Sequence, residues 1–165
     1  MRLLDAKFRD NKLRYIAQSV MGGLAVAAAL LFFNVVSQPM IIASFGASGF
    51  IAFTMPYKRI SRPRCLIGGY IIGIIVGCLL HPITDIPMSH EFGLKMMHVM
   101  AGAAAVGLAM FLMSITNTEH APATSIALGL VLNEWTFHTV VLILAGINVI
   151  LVIQRAMKPW MIDLI

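Results

Sequence analysis

The chain has 165 residues, of which 59% are hydrophobic and only 12% are charged. Soluble domains carry about 25% charged residues, so this composition excludes an ordinary water-soluble protein. The formal net charge is +5, but the cations stand between apolar runs and at their ends, as topology determinants do. Cys65 and Cys78 lack the spacing of a disulfide framework or a metal site. We therefore expect a helical protein of the lipid bilayer, with no nucleic-acid partner, no cofactor and no metal.

The first third of the chain contains one long apolar run and one short one. Residues 1–14 are polar and basic, and we expect them in the cytoplasm. The apolar run 16–36 has 21 residues, which is longer than the core of a signal peptide, about 7 to 15 residues, and predicts a retained first span. Gln38 and Pro39 then break the pattern. The following run, 40–55, is rich in small residues and short for a full crossing.

A basic loop and a glycine-rich span come next. The segment 57–64 carries four cations and no acid, which indicates a loop that stays in the cytoplasm. The apolar run 65–80 predicts the next span, and the acidic loop 81–95 belongs on the opposite side of the membrane. The span has glycines about four residues apart, which predicts a smooth face for close packing against a neighbouring helix. These glycines are Gly68, Gly69, Gly73 and Gly77.

The second half repeats this order. The run 96–115 predicts a span, the polar residues 116–120 interrupt it, and a short apolar run, 123–132, follows Pro122. The last predicted span is 136–153. If both short runs cross the membrane, every cationic cluster lies on one side. We therefore predict six segments with both termini in the cytoplasm, in a bacterial-type cytoplasmic (inner) membrane.

The two halves share a plan of a long span, a proline break, a short helix and a further span. We predict an all-α, polytopic membrane bundle: a single domain, residues 1–165, with repeat one at 15–81 and repeat two at 93–156. Because each half contains an odd number of crossings, the second half enters from the opposite side. This is a 3+3 inverted repeat. Inverted repeats with interrupted helices at matching positions are typical of transporters that bind substrate near the bilayer midplane.

The starts of the two short helices are the predicted binding site. A helix that begins inside the membrane has unpaired N–H groups and a positive dipole end, which suit an anion. The predicted lining residues are Ser44, Gly46, Ala47 and Ser48 from the first short helix, and His120, Ala123, Thr124 and Ser125 from the second. Two alternatives stay open: the small residues serve helix packing alone, or the hydroxyls bond to carbonyls of their own helix.

Charged and titratable residues flank this site. Arg62 and Arg64 either attract an anion to the cytoplasmic entrance or only set the topology. His120 titrates near physiological pH, so it is a candidate for proton coupling, or it caps a loop. Glu119 beside an anion site is unfavourable unless it is protonated, paired or turned to the cytoplasm.

The sequence leaves three alternatives to anion transport. Met96, Met97, His98 and Met100 suggest metal transport, but methionine is a common filler of apolar interiors. No nucleophile–base pair, P-loop or dinucleotide fingerprint occurs, so we expect no enzyme, although His120 and Glu119 could act as acid and base. A non-transporting scaffold or sensor subunit is the third alternative. We also expect a homo-oligomer, most simply a dimer, because so small a bundle seldom shields a polar path alone.

The motifs resemble one known family. The run Ala43-Ser44-Phe45-Gly46-Ala47-Ser48, then Pro56, Arg62-Pro63-Arg64 and Gly68-Gly69-Tyr70, resembles the HPP family of small integral membrane proteins. The family's His-Pro-Pro-Ala mark appears as His120-Ala121-Pro122-Ala123, with Ala121 in place of the first proline. Some members are linked to nitrite transport in plastids and cyanobacteria. The resemblance therefore implies a small-anion transporter with nitrite as one candidate substrate.

Overall fold

The computed structural model describes residues 11–31, 38–87 and 89–165. Helices are the only regular secondary structure in these ranges, which confirms the all-α prediction. The helices are α1 (Lys12–Leu30), α2 (Pro39–Thr54), α3 (Pro63–Thr84), α4 (Glu91–Ile115), α5 (Pro122–Leu132) and α6 (Phe137–Met157), with 3₁₀ turns at Arg59–Ser61 and Lys158–Trp160. Residues 1–10 of the predicted basic segment, and residues 32–37, which include the end of the predicted first span, lie outside the described residues.

Four helices have the length and apolar character of membrane spans: α1, α3, α4 and α6 with its following turn. Helix α2 has 16 residues and α5 has 11, which correspond to about 24 Å and about 16 Å. Both are shorter than a hydrocarbon core of about 30 Å. The prediction of a multi-pass membrane bundle with two short segments is therefore confirmed. Both short helices begin at the predicted prolines, Pro39 and Pro122.

Some predicted boundaries were too narrow. Helix α3 extends beyond the predicted run 65–80 at both ends, and α4 begins at Glu91 rather than Met96. Apolar runs mark only the lipid-facing length of a helix, whereas its polar last turns continue into the interface. Pro63 starts α3 because its missing N–H is not needed at the first helical position.

Successive helices run in opposite directions, so the loops gather at two ends. At one end Arg64 donates to the Thr116 carbonyl at 2.9 Å, and the Tyr15 hydroxyl donates to the Leu164 carbonyl at 2.8 Å. We call this the basic end. Its cations are Lys12, Arg14, Lys58, Arg59, Arg62, Arg64, Arg155 and Lys158. The other, acidic end carries Asp85, Glu91 and Glu134 with Lys95. The described cations thus segregate as the sequence predicts, and the orientation in a membrane stays a prediction.

The predicted glycine face of α3 packs against α5. A Cβ at Gly73 would lie 2.5 Å from the Ala123 carbonyl oxygen, and one at Gly77 would lie 2.7 Å from the Leu130 Cβ. The two backbones therefore approach too closely for any side chain at these positions. Gly69 lies beside His120, so α5 begins opposite the second turn of α3, about 9 Å from the start of α3. Helix α5 starts inside the bundle.

The pattern of helix packing is the same for the two halves of the chain, α1 to α3 and α4 to α6. The closely packed pairs among the described residues are α1–α2, α4–α5, α1–α6, α3–α4, α2–α6, α3–α5, α2–α5 and α3–α6. Exchanging α1, α2 and α3 with α4, α5 and α6 leaves this set unchanged. One glycine in each short helix differs in its surroundings, however: Gly129 of α5 lies against Met40, whereas Gly46 of α2 has no atom within 4 Å of a Cβ added there. The 3+3 inverted repeat stays a prediction.

Candidate functional site

Four buried polar side chains meet where α5 begins, and we call them the polar cluster. They are Ser44 and Ser48 of α2, Tyr70 of α3, and His120 just before α5, and each is at most 1% exposed. Ser44 and Ser48 are four residues apart and therefore lie on one face of α2. Tyr70 follows Gly69, where the close α3–α5 contact brings His120 alongside. The glycine face of α3 thus positions the cluster.

The cluster forms one continuous chain of hydrogen bonds. The Ser44 hydroxyl donates to the carbonyl of Pro122 at 2.6 Å. The Tyr70 hydroxyl lies 2.9 Å from both serine oxygens, Ser44 Oγ and Ser48 Oγ. Ser48 Oγ lies 2.8 Å from His120 Nε2. The chain of hydrogen bonds begins at His120, just before α5, passes through α2 and α3, and ends at Pro122, the first residue of α5.

Proton counting fixes the direction of every bond in this chain. A hydroxyl has one proton, and that of Ser44 is used on the Pro122 carbonyl, so Tyr70 must donate to Ser44. Ser48 must then donate to Tyr70, because the tyrosine proton is already used. His120 must therefore donate from Nε2 to Ser48. The network assigns the Nε2–H form to the neutral imidazole.

The second imidazole nitrogen, His120 Nδ1, is buried without a hydrogen-bond partner. The backbone of Ile60 lies near the ring, but it makes no hydrogen bond to Nδ1. In the Nε2–H form, Nδ1 carries a lone pair and only accepts hydrogen bonds. Buried polar groups without partners are rare in folded proteins, and each indicates either unseen water, a ligand or a chemical role.

The other predicted lining residues lie outside the cluster. Gly46 and Ala47 are exposed: Gly46 lies on the side of α2 opposite the two serines, and Ala47 lies to one side of them. Ala123 is buried against α3, and Thr124 donates to the Ala121 carbonyl at 2.8 Å, so the own-helix alternative holds for this hydroxyl. Ser125 is half-buried. Of the eight predicted residues, the structure therefore brings together Ser44, Ser48 and His120, with Ala123 beside them.

The starts of the two short helices do not meet tip to tip. Helices α2 and α5 lie side by side and antiparallel, because Ser44 contacts Pro122 while Met40 lies against Gly129. The first amides of α5 are also occupied: Ala123 N–H bonds to the His120 carbonyl at 2.9 Å. The unpaired N–H groups predicted at the start of α5 are thus bonded locally, and the polar groups gathered there are the side chains of the polar cluster.

An ion pair lies on the basic-end side of the cluster. Arg59 binds the carboxylate of Glu119, and its other terminal nitrogen donates to Asn117 Oδ1 at 3.3 Å. The Arg59 guanidinium lowers the pKa of Glu119, chiefly through this hydrogen bond. Glu119 is therefore a paired carboxylate, which removes the difficulty of an isolated negative charge beside an anion site. Arg64 holds the same loop through the Thr116 carbonyl, and Arg62 is exposed.

The methionine-rich start of α4 faces outward. Met96 is 45% exposed and Met100 is 62% exposed. His98 bonds to the Leu94 carbonyl of its own helix at 2.8 Å. Within residues 11–31, 38–87 and 89–165, no three His, Cys, Asp or Glu side chains are placed to share a metal ion.

Comparison with known proteins identifies the family. A model of the HPP transmembrane region matches residues 9–160. The chain belongs to the HPP family. A transmembrane protein of Dictyostelium discoideum is 31% identical over 108 residues, which cover 64% of this chain and 35% of that protein. The chain thus spans about a third of this relative's length. No solved structure matches.

Two residues of this HPP protein were missed as candidate site residues: Tyr70 and Arg59. Tyr70 links both serines, and a single hydroxyl inside an apolar, glycine-rich run was the available signal. Arg59 binds Glu119 from 60 positions away, and nothing in the sequence pattern distinguishes it from Arg62 or Arg64.

Proposed function

We propose that this HPP protein carries a small inorganic anion, with nitrite as one candidate, across a bacterial-type cytoplasmic membrane, with both termini in the cytoplasm. One observation carries the proposal: the polar cluster is buried at the interrupted start of α5, inside the span of α3. Polar groups at membrane depth are costly, and they commonly mark substrate or ion pathways. Irregular backbone is tolerated there only where protein or a water-filled path surrounds it.

The electrostatics of this region favour an anion. The start of α5 contributes the positive end of a helix dipole. The basic end concentrates cations on the side of the bundle from which residues 116–120 lead to the cluster. The paired Glu119 does not add an uncompensated negative charge.

The described conformation corresponds to a closed state of such a carrier. The four cluster side chains are inaccessible, and the Arg59–Glu119 pair ties the loop before α5 to the 59–61 turn. Access from the basic end therefore requires these two segments to separate. Gating of one element against another around a fixed site is the usual motion of small transporters.

We also propose that the protein works as a homodimer. Gly46 and Ala47 form an exposed small-residue surface on α2, which permits close helix contact in lipid. Light scattering of the purified protein in detergent tests this: the mass of two chains supports the dimer, and the mass of one chain refutes it.

The function is tested by uptake into sealed vesicles that contain the purified protein alone. Nitrite is compared with nitrate, chloride and formate. The variants are Ser44→Ala with Ser48→Ala and, as the control, Gly107→Ala at an exposed position on α4 where an added Cβ meets no atom within 4 Å. We expect selective uptake of one anion, lost in the serine variant and retained in the glycine variant. A solute recovered chemically altered would support a membrane enzyme, and no uptake of any anion would support a scaffold or sensor subunit.

A further inference from the structure

The polar cluster has no free hydrogen-bond donor for an anion while His120 is neutral. All three hydroxyl protons and the Nε2 proton are used within the chain. The remaining polar atom of the cluster, His120 Nδ1, is then an acceptor. An inorganic anion also accepts hydrogen bonds, so the neutral cluster and the anion repel at this point.

We propose that His120 takes up a proton at Nδ1 together with the anion, so that the site carries one proton with each anion. This inference rests on the proposed anion transport. Protonation converts Nδ1 from an acceptor into a charged donor, and charged donors make the stronger hydrogen bonds to anions. The proton comes from water at the basic end, forms an N–H bond, and is returned to water when the anion leaves.

The surroundings of His120 require that the proton and the anion enter the site together. The groups that lie against the ring are Ser48 on α2, Tyr70 on α3 and the backbone of Ile60 in the 59–61 turn. The charged neighbour in the chain is Glu119, which is already paired with Arg59. No unpaired negative charge among the described residues faces the ring.

The consequence is electroneutral transport. A buried imidazolium alone would be an uncompensated charge beside the positive start of α5, which is strongly unfavourable. An anion alone would find no donor. The pair is neutral, so the membrane potential does no net work on the loaded site.

The test measures proton and anion movement together in vesicles that contain the wild-type protein. A trapped pH dye reports protons, and the anions are nitrite and nitrate, because nitrous acid crosses lipid unaided and nitrate does not. Protein-free vesicles supply the background. We expect one proton per anion and an unchanged rate when a potassium gradient with valinomycin imposes a potential. Uptake that follows the potential without proton movement overturns the inference, whereas no uptake of either anion overturns the proposed function itself.

A matched pair of variants assigns the proton to His120. His120→Gln keeps an N–H donor for Ser48 but cannot titrate, and we expect it to lower uptake driven by a pH gradient by about tenfold, a typical coupling between two ligands. His138→Gln changes an exposed histidine at the acidic end and is expected to behave as wild type. Proton-coupled uptake by His120→Gln at the wild-type rate would exclude His120 as the proton site.

Discussion

The two short helices begin alike in sequence and have different surroundings in the fold. Each starts with a proline, is rich in small residues and is too short to cross the membrane alone. Most of α5 is buried, including Ala123, Ala127 and Gly129, whereas α2 exposes Gly46 and Ala47. The difference arises from their neighbours, because α3 presents its glycines to α5 and thereby holds α5 in the core.

This asymmetry places the chemistry at the start of α5. The buried face of α2 supplies Ser44 and Ser48, and the close α3–α5 contact brings Tyr70 to His120. Two helices with the same local sequence pattern therefore have different roles. The polar cluster lies at the start of α5, whereas α2 turns one face to the cluster and exposes another.

The largest expected effect comes from breaking the α3–α5 contact that distinguishes the two helices. Gly73→Ala places a Cβ 2.5 Å from the Ala123 carbonyl oxygen, and a backbone atom cannot move aside as a flexible side chain can. We expect a loss of about 3 kcal/mol, at the upper end of overpacking effects, seen as a lower unfolding temperature in detergent. Gly107→Ala is the control, because no atom lies within 4 Å of a Cβ added at this exposed position on α4. Equal stability of the two variants would refute the close contact.

The next largest effect is expected from removing hydrogen bonds within the polar cluster, which joins α2 to the start of α5. Tyr70→Phe removes the donor to Ser44 and the acceptor for Ser48, and leaving buried groups unpaired costs about 2 kcal/mol. Thermal or denaturant unfolding measures the loss. Tyr57→Phe is the matched control, since the Tyr57 hydroxyl makes an exposed bond to the Lys158 carbonyl. A Tyr70→Phe protein as stable as the control would mean that the hydrogen-bond chain is absent.

A smaller effect is expected from changing Thr124, whose hydroxyl lies near the start of α5 but outside the polar cluster. The Thr124 hydroxyl donates to the carbonyl of Ala121, immediately before α5, so Thr124→Val is expected to lower stability by about 1 kcal/mol or less and to leave anion uptake unchanged. The measurement is uptake per folded protein. Loss of uptake in Thr124→Val, with folding intact, would return Thr124 to the site.

The smallest expected effect concerns the ion pair outside the cluster. Arg59 lowers the pKa of Glu119 below its ordinary value of 4.5, so the carboxylate's contribution to stability is complete above pH 4.5. It is lost as the pH falls through the lowered value. We expect the stability difference between wild type and Glu119→Gln to vanish in that acidic range. Glu134→Gln, at the acidic end, is the control, and a difference that grows on acidification would contradict the pairing.

Local features of the fold were predictable, and contacts between distant residues were not. Short stretches of sequence predict these local features. The length of an apolar run predicts a span, Pro39 and Pro122 predict the starts of the short helices, and glycine spacing predicts the packing face of α3. The partners of Tyr70 and Arg59 are 22 to 60 positions away, and no periodicity indicates such pairs. A continuous run of small residues predicts one lining surface at positions 44–48, but a helix turns neighbouring residues in different directions, so Gly46 and Ala47 are exposed while Ser44 and Ser48 are buried.

The most direct test of the central claim compares two serines in the same uptake experiment. Ser48→Ala removes a link of the buried chain, whereas Ser114→Ala removes an exposed hydroxyl that bonds only to the Met110 carbonyl of its own helix. With both proteins shown to be folded, we predict anion uptake about tenfold lower for Ser48→Ala and unchanged for Ser114→Ala. Equal uptake by the two variants would contradict an anion site at the start of α5.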